Sequence, residues 1–145
     1  MSAKGIRDID VIRTFVLQGT LNFTRYFFKI RQKRKFVIGK HHREIAAALD
    51  KVLCGEITRL IINIAPRYGK TELAVKNFIA EGLAINPKAK FIHLSYSDDL
   101  ARDNSRGVQD IINEPEYRRI FPATIPTSTN TKKWYTTEGG GLYAV

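Results

Sequence analysis

The chain has 145 residues, a formal net charge of +10 and a hydrophobic fraction of 43%, enough for one globular domain with its own core. No apolar run approaches the roughly 20 residues of a membrane-spanning helix, and the charged first ten residues lack the apolar stretch of a signal peptide. A single cysteine, Cys54, excludes an internal disulfide and fits a reducing compartment. The basic balance favours polyanions, nucleic acid first and acidic membrane second.

The positive charge is concentrated towards the N-terminus. Between Thr20 and Arg43 there is no acidic residue, and aromatic residues are interleaved with the basic ones. The cations are Arg25, Lys29, Arg31, Lys33, Arg34, Lys35, Lys40 and Arg43, and the aromatics are Phe23, Tyr26, Phe27, Phe28 and Phe36. Two interpretations stay open: a solvated helix face beside a core stripe, or a surface that contacts the phosphate backbone of nucleic acid.

Three helices are predicted in the first third of the chain. Asp8 can cap the first helix, which carries apolar residues at helical spacing and ends at Gly19. A second helix is predicted over residues 21–31, followed by an extended link over residues 35–39. The third covers residues 41–54, with Ile45, Leu49, Val52 and Leu53 on one stripe, and Gly55 stops it.

Strands and helices alternate in the rest of the chain. We expect a buried strand at residues 60–65, a helix at 70–84, a turn at 86–90 and a second buried strand at 91–96. A helix over residues 98–113 has Ser97 as its N-cap, a short helical piece lies between Pro115 and Pro122, and two short strands follow at 134–137 and 142–145. This order predicts an α/β fold with a βαβ unit and a parallel sheet flanked by helices. Ligands of such sheets bind at the carboxyl ends of the strands, where residues 65–69 lie.

That loop has the composition of a phosphate-binding turn. Gly69 permits close approach of the backbone, Lys70 supplies a mobile positive charge, and Thr71 supplies a hydroxyl suited to Mg²⁺. All three follow the predicted strand and open the predicted helix, which is the context that the motif needs. The alternative is an ordinary strand-to-helix turn with an exposed lysine.

The usual first glycine of such a loop is missing, because the position five residues before Gly69 is Ile64. Pro66 stiffens the turn at the point where the common loop is flexible. Arg67 adds a second cation, and a guanidinium there can stabilise charge that develops on the γ-phosphate.

The segment "APRYGKTE" resembles the deviant Walker A motif of the large terminases of phages and herpesviruses, the ATPases that package viral DNA. The flanks are similar as well: "GEITRLIINIAPRYGKTE" resembles the family's strand and loop. "NPKAKFIHLSYSDDLARDNSRGVQDII" resembles its next strand and helix, and "EPEYRRIFP" resembles the segment after that. Upstream, "LNFTRYFF" and "HHREIAAALDKVLCGEI" resemble the family's aromatic N-terminal piece and a helix that opens with histidine. The resemblance covers roughly residues 20–145.

The resemblance implies a nucleotide site that binds ATP and Mg²⁺. It assigns nucleotide contacts to Pro66, Arg67, Tyr68, Gly69, Lys70, Thr71 and Glu72, with Arg67 and Lys70 catalytic and Thr71 on the metal. His41 matches the segment near the adenine, and His42 is an alternative because the register is ambiguous by one residue. Tyr96 and Ser97 match the family's second motif, while His93 is expected to be an ordinary core or edge histidine.

The resemblance also implies partners and a location. The implied partners are double-stranded DNA, a portal protein and a small terminase subunit, and the full-length protein is expected to form a homo-oligomeric ring. The implied location is the host cytoplasm, at the procapsid portal, and no membrane is involved.

One family feature has no match in the sequence. The family carries an acidic motif of four apolar residues followed by two adjacent carboxylates, and here Ser97 separates the strand from Asp98 and Asp99, which favour the start of a helix. We therefore expect a basic helical segment at 1–40 and the front half of a P-loop ATPase domain at 41–145, within a longer protein that also carries a nuclease domain. The rival functions are another P-loop nucleic-acid motor, such as a helicase-like ATPase, and a non-enzymatic basic DNA-binding module.

Overall fold

The computed structural model describes residues 8–145, and its first third is helical. Helix α1 spans Asp8–Val16, α2 spans Thr20–Gln32 and α3 spans Lys40–Leu53, close to the predicted positions. Gly19 is the residue before α2 and not the end of α1. Gly55, just beyond α3, has a φ of 79°, the left-handed backbone that glycine adopts most easily after a helix.

A continuous helical run follows the loop, from Lys70 to Ile85. Its first part is a π-helix, Glu72–Asn77, and its second part is α4, Phe78–Ile85. Farther along, α5 spans Asp98–Asn113 and α6 spans Pro115–Ile120. The Ser97 hydroxyl accepts a hydrogen bond from the Leu100 N–H at 3.5 Å, so the predicted cap of α5 is confirmed.

The sheet has three strands: β1 spans Lys90–His93, β2 spans Lys133–Tyr135 and β3 spans Gly141–Ala144. Their order is β1-β3-β2, with β3 parallel to β1 and antiparallel to β2. Leu142 is opposite Phe91 on one side and Trp134 on the other. The fold is therefore mixed α/β, as predicted at that level, but the sheet is mixed and not purely parallel.

One main hydrophobic core joins the helices to the sheet. Phe23 and Phe27 of α2 lie in the same buried cluster as Trp134 of β2 and Leu142 of β3. The polar atoms of its large aromatic residues are satisfied: Tyr117 Oη donates to the Ala80 carbonyl at 2.8 Å, and Trp134 Nε1 donates to Ser105 Oγ at 2.9 Å. The basic N-terminal helices thus pack into the same core as the following elements.

The predicted buried strand at residues 60–65 is wrong. The segment has no regular secondary structure, and no strand of the described part of the chain pairs with it. Ile61 is 85% exposed, whereas Ile62 and Ile64 pack against a second, smaller core cluster of Ile45, Leu49 and Leu73. Alternate apolar side chains of the segment pack against this cluster. To form a β-strand, the segment would also need a neighbouring strand that pairs with its backbone by hydrogen bonds. The predicted βαβ unit is therefore not formed, and the parallel pair is β1 with β3.

The second predicted strand is shorter and more open than expected. It stops at His93, and Ile92, Leu94 and Tyr96 are 70%, 72% and 94% exposed. Only the face that carries Phe91 and His93 turns towards the helices, so the interpretation as a strand buried on both faces was wrong. Among the described residues, no helix is both long and apolar enough to cross a bilayer.

Candidate functional site

The loop at residues 65–69 has the backbone geometry of a tight turn. Arg67 has a φ of 67° and Gly69 a φ of 77°. Left-handed backbone is ordinary for glycine and uncommon for a long side chain such as arginine. The helical run begins directly after the loop, and the Leu73 N–H donates to the Gly69 carbonyl at 3.0 Å.

Gly69 is also required by the space around it. A Cβ atom at this position would lie 2.8 Å from His42 Nε2 and 3.4 Å from Phe36 Cζ. Real Cβ atoms do not approach a ring nitrogen that closely, so any side chain here would push the loop away from α3. The motif's glycine is therefore fixed by backbone angle and by packing together.

Two adjacent histidines at the start of α3 hold the loop. His42 Nδ1 accepts a hydrogen bond from the Gly39 N–H at 2.9 Å, so the proton of the neutral ring is on Nε2. That Nε2–H donates to the Tyr68 carbonyl at 2.8 Å. His41 Nε2 lies 3.3 Å from the same carbonyl and 3.1 Å from His42 Nε2.

The two histidines have different environments. His42 is buried, and burial lowers its pKa; the bond to the Tyr68 carbonyl opposes the shift, and neighbouring His41 adds to it. His41 is only partly buried and packs edge-on against the Tyr68 ring at 5.5 Å between centroids. His42 is thus the structural clamp of the loop, and His41 is the histidine with access to a ligand.

The loop presents two cations to solvent. Arg67 and Lys70 are exposed, and within the described residues neither forms an ion pair. Thr71 is exposed in helical backbone, Tyr68 is half exposed, and Pro66 is exposed. Because the first N–H groups of a helix have no intrahelical acceptor, the backbone around Lys70 and Thr71 offers donors beside these positive charges.

Glu72 faces away from the loop opening and belongs to an ionic cluster below it. Its carboxylate forms an ion pair with Arg31 of α2 and lies 3.9 Å from Lys76 Nζ. Asn77 Nδ2 donates to both the Glu72 carbonyl and Glu72 Oε1, at 2.8 and 3.0 Å. Lys76 in turn lies over Gly107 of α5, where a Cβ would meet its Cε at 2.7 Å. Among the described residues assigned to the nucleotide, Glu72 is therefore the one whose side chain forms an ion pair with another helix.

The described residues contain few candidate ligands for a metal ion. Among the described residues there is no group of three or more His, Cys, Asp or Glu side chains that could hold one. The Thr71 hydroxyl is a single oxygen donor at the start of the helical run. This matches the way in which Mg²⁺ is usually bound, by one or two protein oxygens together with substrate phosphates and water.

The remaining residues singled out from the sequence have surroundings of their own. Tyr96 is 94% exposed, and Ser97 is used as the N-cap of α5. His93 is partly buried and its Nε2 lies 3.0 Å from Asn104 Nδ2; burial lowers its pKa, in line with an ordinary packed histidine. Asp98 and Asp99 occupy the first turn of α5, as expected from their separation from the strand.

Sequence reasoning missed the residues that support the loop. Phe36 was read as one aromatic of the basic stretch, yet its ring packs against His42 at 4.9 Å between centroids and lies beside Gly69. Arg31 was grouped with the surface cations, yet its side chain is 9% exposed. The helical spacing of Arg31 from Phe27 and Phe28 was the one signal that it lies near the buried side of α2.

Comparison of the chain with protein-family models, with curated proteins and with solved structures finds no match. Function is therefore inferred from the residues of the site and from the motif they form.

Proposed function

We propose that this chain is the ATP-binding front part of a P-loop ATPase domain from a viral DNA-packaging motor of the large-terminase type. The observation that carries the proposal is the turn at Gly69, which is left-handed and packed against His42. It is followed at once by Lys70, which is exposed, forms no ion pair among the described residues and opens a helical run. Phosphate groups bind where helix N-terminal N–H groups, a glycine turn and a lysine converge.

The residues present fit ATP and Mg²⁺. The backbone of Gly69, Lys70 and Thr71 would hold the phosphates, and the Lys70 ammonium would offset their charge. Thr71 would provide the protein oxygen that binds Mg²⁺. The bound ion would neutralise negative charge on the β- and γ-phosphates. Partly exposed His41 is the side chain available to the base.

Arg67 gives the site a second role besides binding. It is exposed and unpaired in the described structure, and it keeps a left-handed backbone that glycine would adopt at lower cost. Strained non-glycine residues that persist in a loop are concentrated at functional sites. We assign Arg67 to stabilising the charge of the transferring phosphoryl group.

The assembled machine is part of the same proposal. The complete protein would act on double-stranded DNA as a homo-oligomeric ring, with a portal protein and a small terminase subunit, in the host cytoplasm. The basic residues of α2 and the link after it, which are exposed except for Arg31, provide a surface for phosphate backbone. The same surface suits the two rivals, a helicase-like P-loop motor and a DNA-binding module that binds no nucleotide.

Magnesium dependence of ATP binding tests the site. Titration of a fluorescent ATP analogue into the chain should give tighter binding with Mg²⁺ than with EDTA. Thr71→Ala should remove most of this difference and Thr71→Ser should keep it, because serine retains the hydroxyl. Binding that ignores both Mg²⁺ and the Thr71 hydroxyl would contradict the assignment, and absence of any nucleotide binding would favour the DNA-binding module.

A further inference from the structure

A recess lies beside the N-terminal helices. Of the residues that line it, Phe36 also packs beside the nucleotide loop, and the others are not part of the proposed nucleotide site. The recess has a volume of about 280 Å³ and is lined by α1, by one side of α2 and by the link before α3. We call it the aromatic–basic pocket; its lining is Phe15, Arg25, Tyr26, Lys29, Lys35, Phe36 and Ile38.

Three of the lining residues are cations without an acidic partner. Arg25, Lys29 and Lys35 are exposed, and none of them forms an ion pair within the described residues. Glu116 of α6 accepts a hydrogen bond from the Tyr26 hydroxyl at 2.7 Å, and this carboxylate is already paired with Arg119 at 2.6 Å. Three like charges around one recess repel one another, and an anion placed between them relieves that repulsion.

The aromatic rings of the pocket are held in position. Tyr26 is fixed through its hydroxyl to Glu116 and by an edge-on contact with Phe27 at 5.2 Å between centroids. Phe36 is fixed by edge-on contacts with Phe28 and His42. Phe15 is 40% exposed at the end of α1. Rings that are already ordered lose little further freedom when a planar group stacks on them.

The combination of ordered rings and unpaired cations selects a chemical class. Phosphate alone would not use the rings, and an apolar ligand would not use the cations. A nucleotide unit uses both, because its base stacks on aromatic side chains while its phosphates meet lysine and arginine. The volume is at the low end for small-molecule pockets, so it accommodates a single unit.

The geometry points to the aromatic–basic pocket as a site for one unpaired nucleotide of a nucleic-acid strand, with its base against the rings and its phosphates on Arg25, Lys29 and Lys35. A recess favours a nucleic acid over a membrane, since insertion into lipid needs apolar side chains that protrude. The proposal does not depend on nucleotide binding at Lys70, so either can fail alone.

The test compares two labelled oligomers by fluorescence anisotropy with the chain. One is thymidine DNA of about twelve nucleotides, within the site sizes known for single-strand binders, and the other is an abasic strand of the same length. Wild-type protein should prefer the strand with bases. Phe15→Leu should weaken binding of the thymidine strand by about tenfold and leave the abasic strand unaffected, because leucine cannot stack.

A pair of charge variants covers the case in which Phe15→Leu perturbs α1. The first double variant, Lys29→Gln with Lys35→Gln, removes two charges from the pocket, and the control, Lys40→Gln with Arg43→Gln, removes two charges from outside it. The first should weaken binding of the thymidine strand by at least about tenfold more than the control. Equal losses for the two pairs would overturn the proposal, as would equal weakening of both oligomers by Phe15→Leu.

Two further results would also overturn it. If free ATP displaces the thymidine strand from wild-type protein and from Lys70→Ala alike, the pocket is a subsite for free nucleotide. If vesicles of anionic lipid, and not the oligomers, respond to the Lys29 and Lys35 changes, the partner is a membrane surface.

Discussion

Arg31 of α2 forms an ion pair with Glu72, the residue immediately after Thr71. Their side chains are 9% and 17% exposed, respectively, and Asn77 donates a second hydrogen bond to the same carboxylate. The pair connects the basic helix directly to the π-helix that follows the loop. The basic helix and the helical run after the loop are therefore held together by a largely buried ion pair.

Loss of Arg31 should destabilise the fold. Arg31→Gln leaves the Glu72 carboxylate largely buried without its main counter-charge, so the free energy of unfolding should fall by about 3 kcal/mol. Lys29→Gln is the matched control on the exposed side of the same helix and should change it by less than about 0.5 kcal/mol. Urea denaturation measures both, and equal effects would show that the ion pair contributes little.

The basic stretch should dominate the salt dependence of DNA binding. Changing Lys29, Lys33, Arg34 and Lys35 to glutamine should reduce the magnitude of the slope of log affinity against log salt by about 3.6, since each of four phosphate contacts contributes about 0.9. Arg31 is left in place because it is not a surface cation. The control changes four exposed cations elsewhere, Lys51, Lys88, Arg106 and Arg118; an equal reduction there would mean that only total charge matters.

Glu81 should make stability fall as pH rises. Its side chain is buried in α4, and burial raises its pKa to about 8; the Thr20 side chain opposes the shift and the Asp50 carboxylate adds to it. The folded pKa lies above the unfolded value of 4.5, so the folded state binds the extra proton between these values. The stabilisation is complete below pH 4.5 and is lost progressively as pH rises through about 8, by at most about 1.4 kcal/mol per pH unit.

Replacing Glu81 with glutamine, a neutral side chain of similar shape, isolates the contribution of the Glu81 carboxyl group to the pH dependence of stability. Glu81→Gln should be more stable than wild type at pH 8 and lose the advantage towards pH 5, as measured by urea denaturation across this range. Buried His42 and partly buried His93 contribute with the opposite sign, since burial lowers their pKa, but they are common to both proteins and cancel in the difference. Glu44→Gln, at an exposed position, is the control; a difference curve for Glu81→Gln that is flat with pH would contradict the assignment.

The helices were predictable from the sequence because their signals are local. Capping at Ser97, glycine at position 55 and apolar residues at helical spacing fix the ends and faces of α2, α3 and α5 within a residue or two. The absence of a strand at residues 60–65 was not predictable, because strand pairing depends on a distant neighbour and not on the apolar pattern itself. The loop motif was readable from residue types, whereas the His42 clamp and the Arg31–Glu72 pair arise from contacts across 26 and 41 positions of sequence.

Arg67 should affect turnover far more than binding. In the complete hydrolysing protein, Arg67→Ala should lower ATP turnover by about 10³-fold while ATP affinity changes by less than about tenfold, since a charge that acts mainly in the transition state adds little to ground-state binding. Arg67→Lys should recover little, because lysine lacks the planar fork. Parallel loss of affinity and rate would make Arg67 a phosphate clamp, and no change in either would make it a surface residue.

Equilibrium titration of Lys70→Ala with ATP and Mg²⁺ shows whether the loop at Gly69 binds the phosphates of ATP. The matched control is Lys88→Ala, which removes an exposed lysine in the turn before β1, and circular dichroism checks the fold of both variants. We expect Lys88→Ala to bind like wild type and Lys70→Ala to lose most of its affinity with an unchanged fold. Wild-type protein that binds no ATP, or a Lys70→Ala variant that binds it as well as wild type, would contradict phosphate binding at this loop.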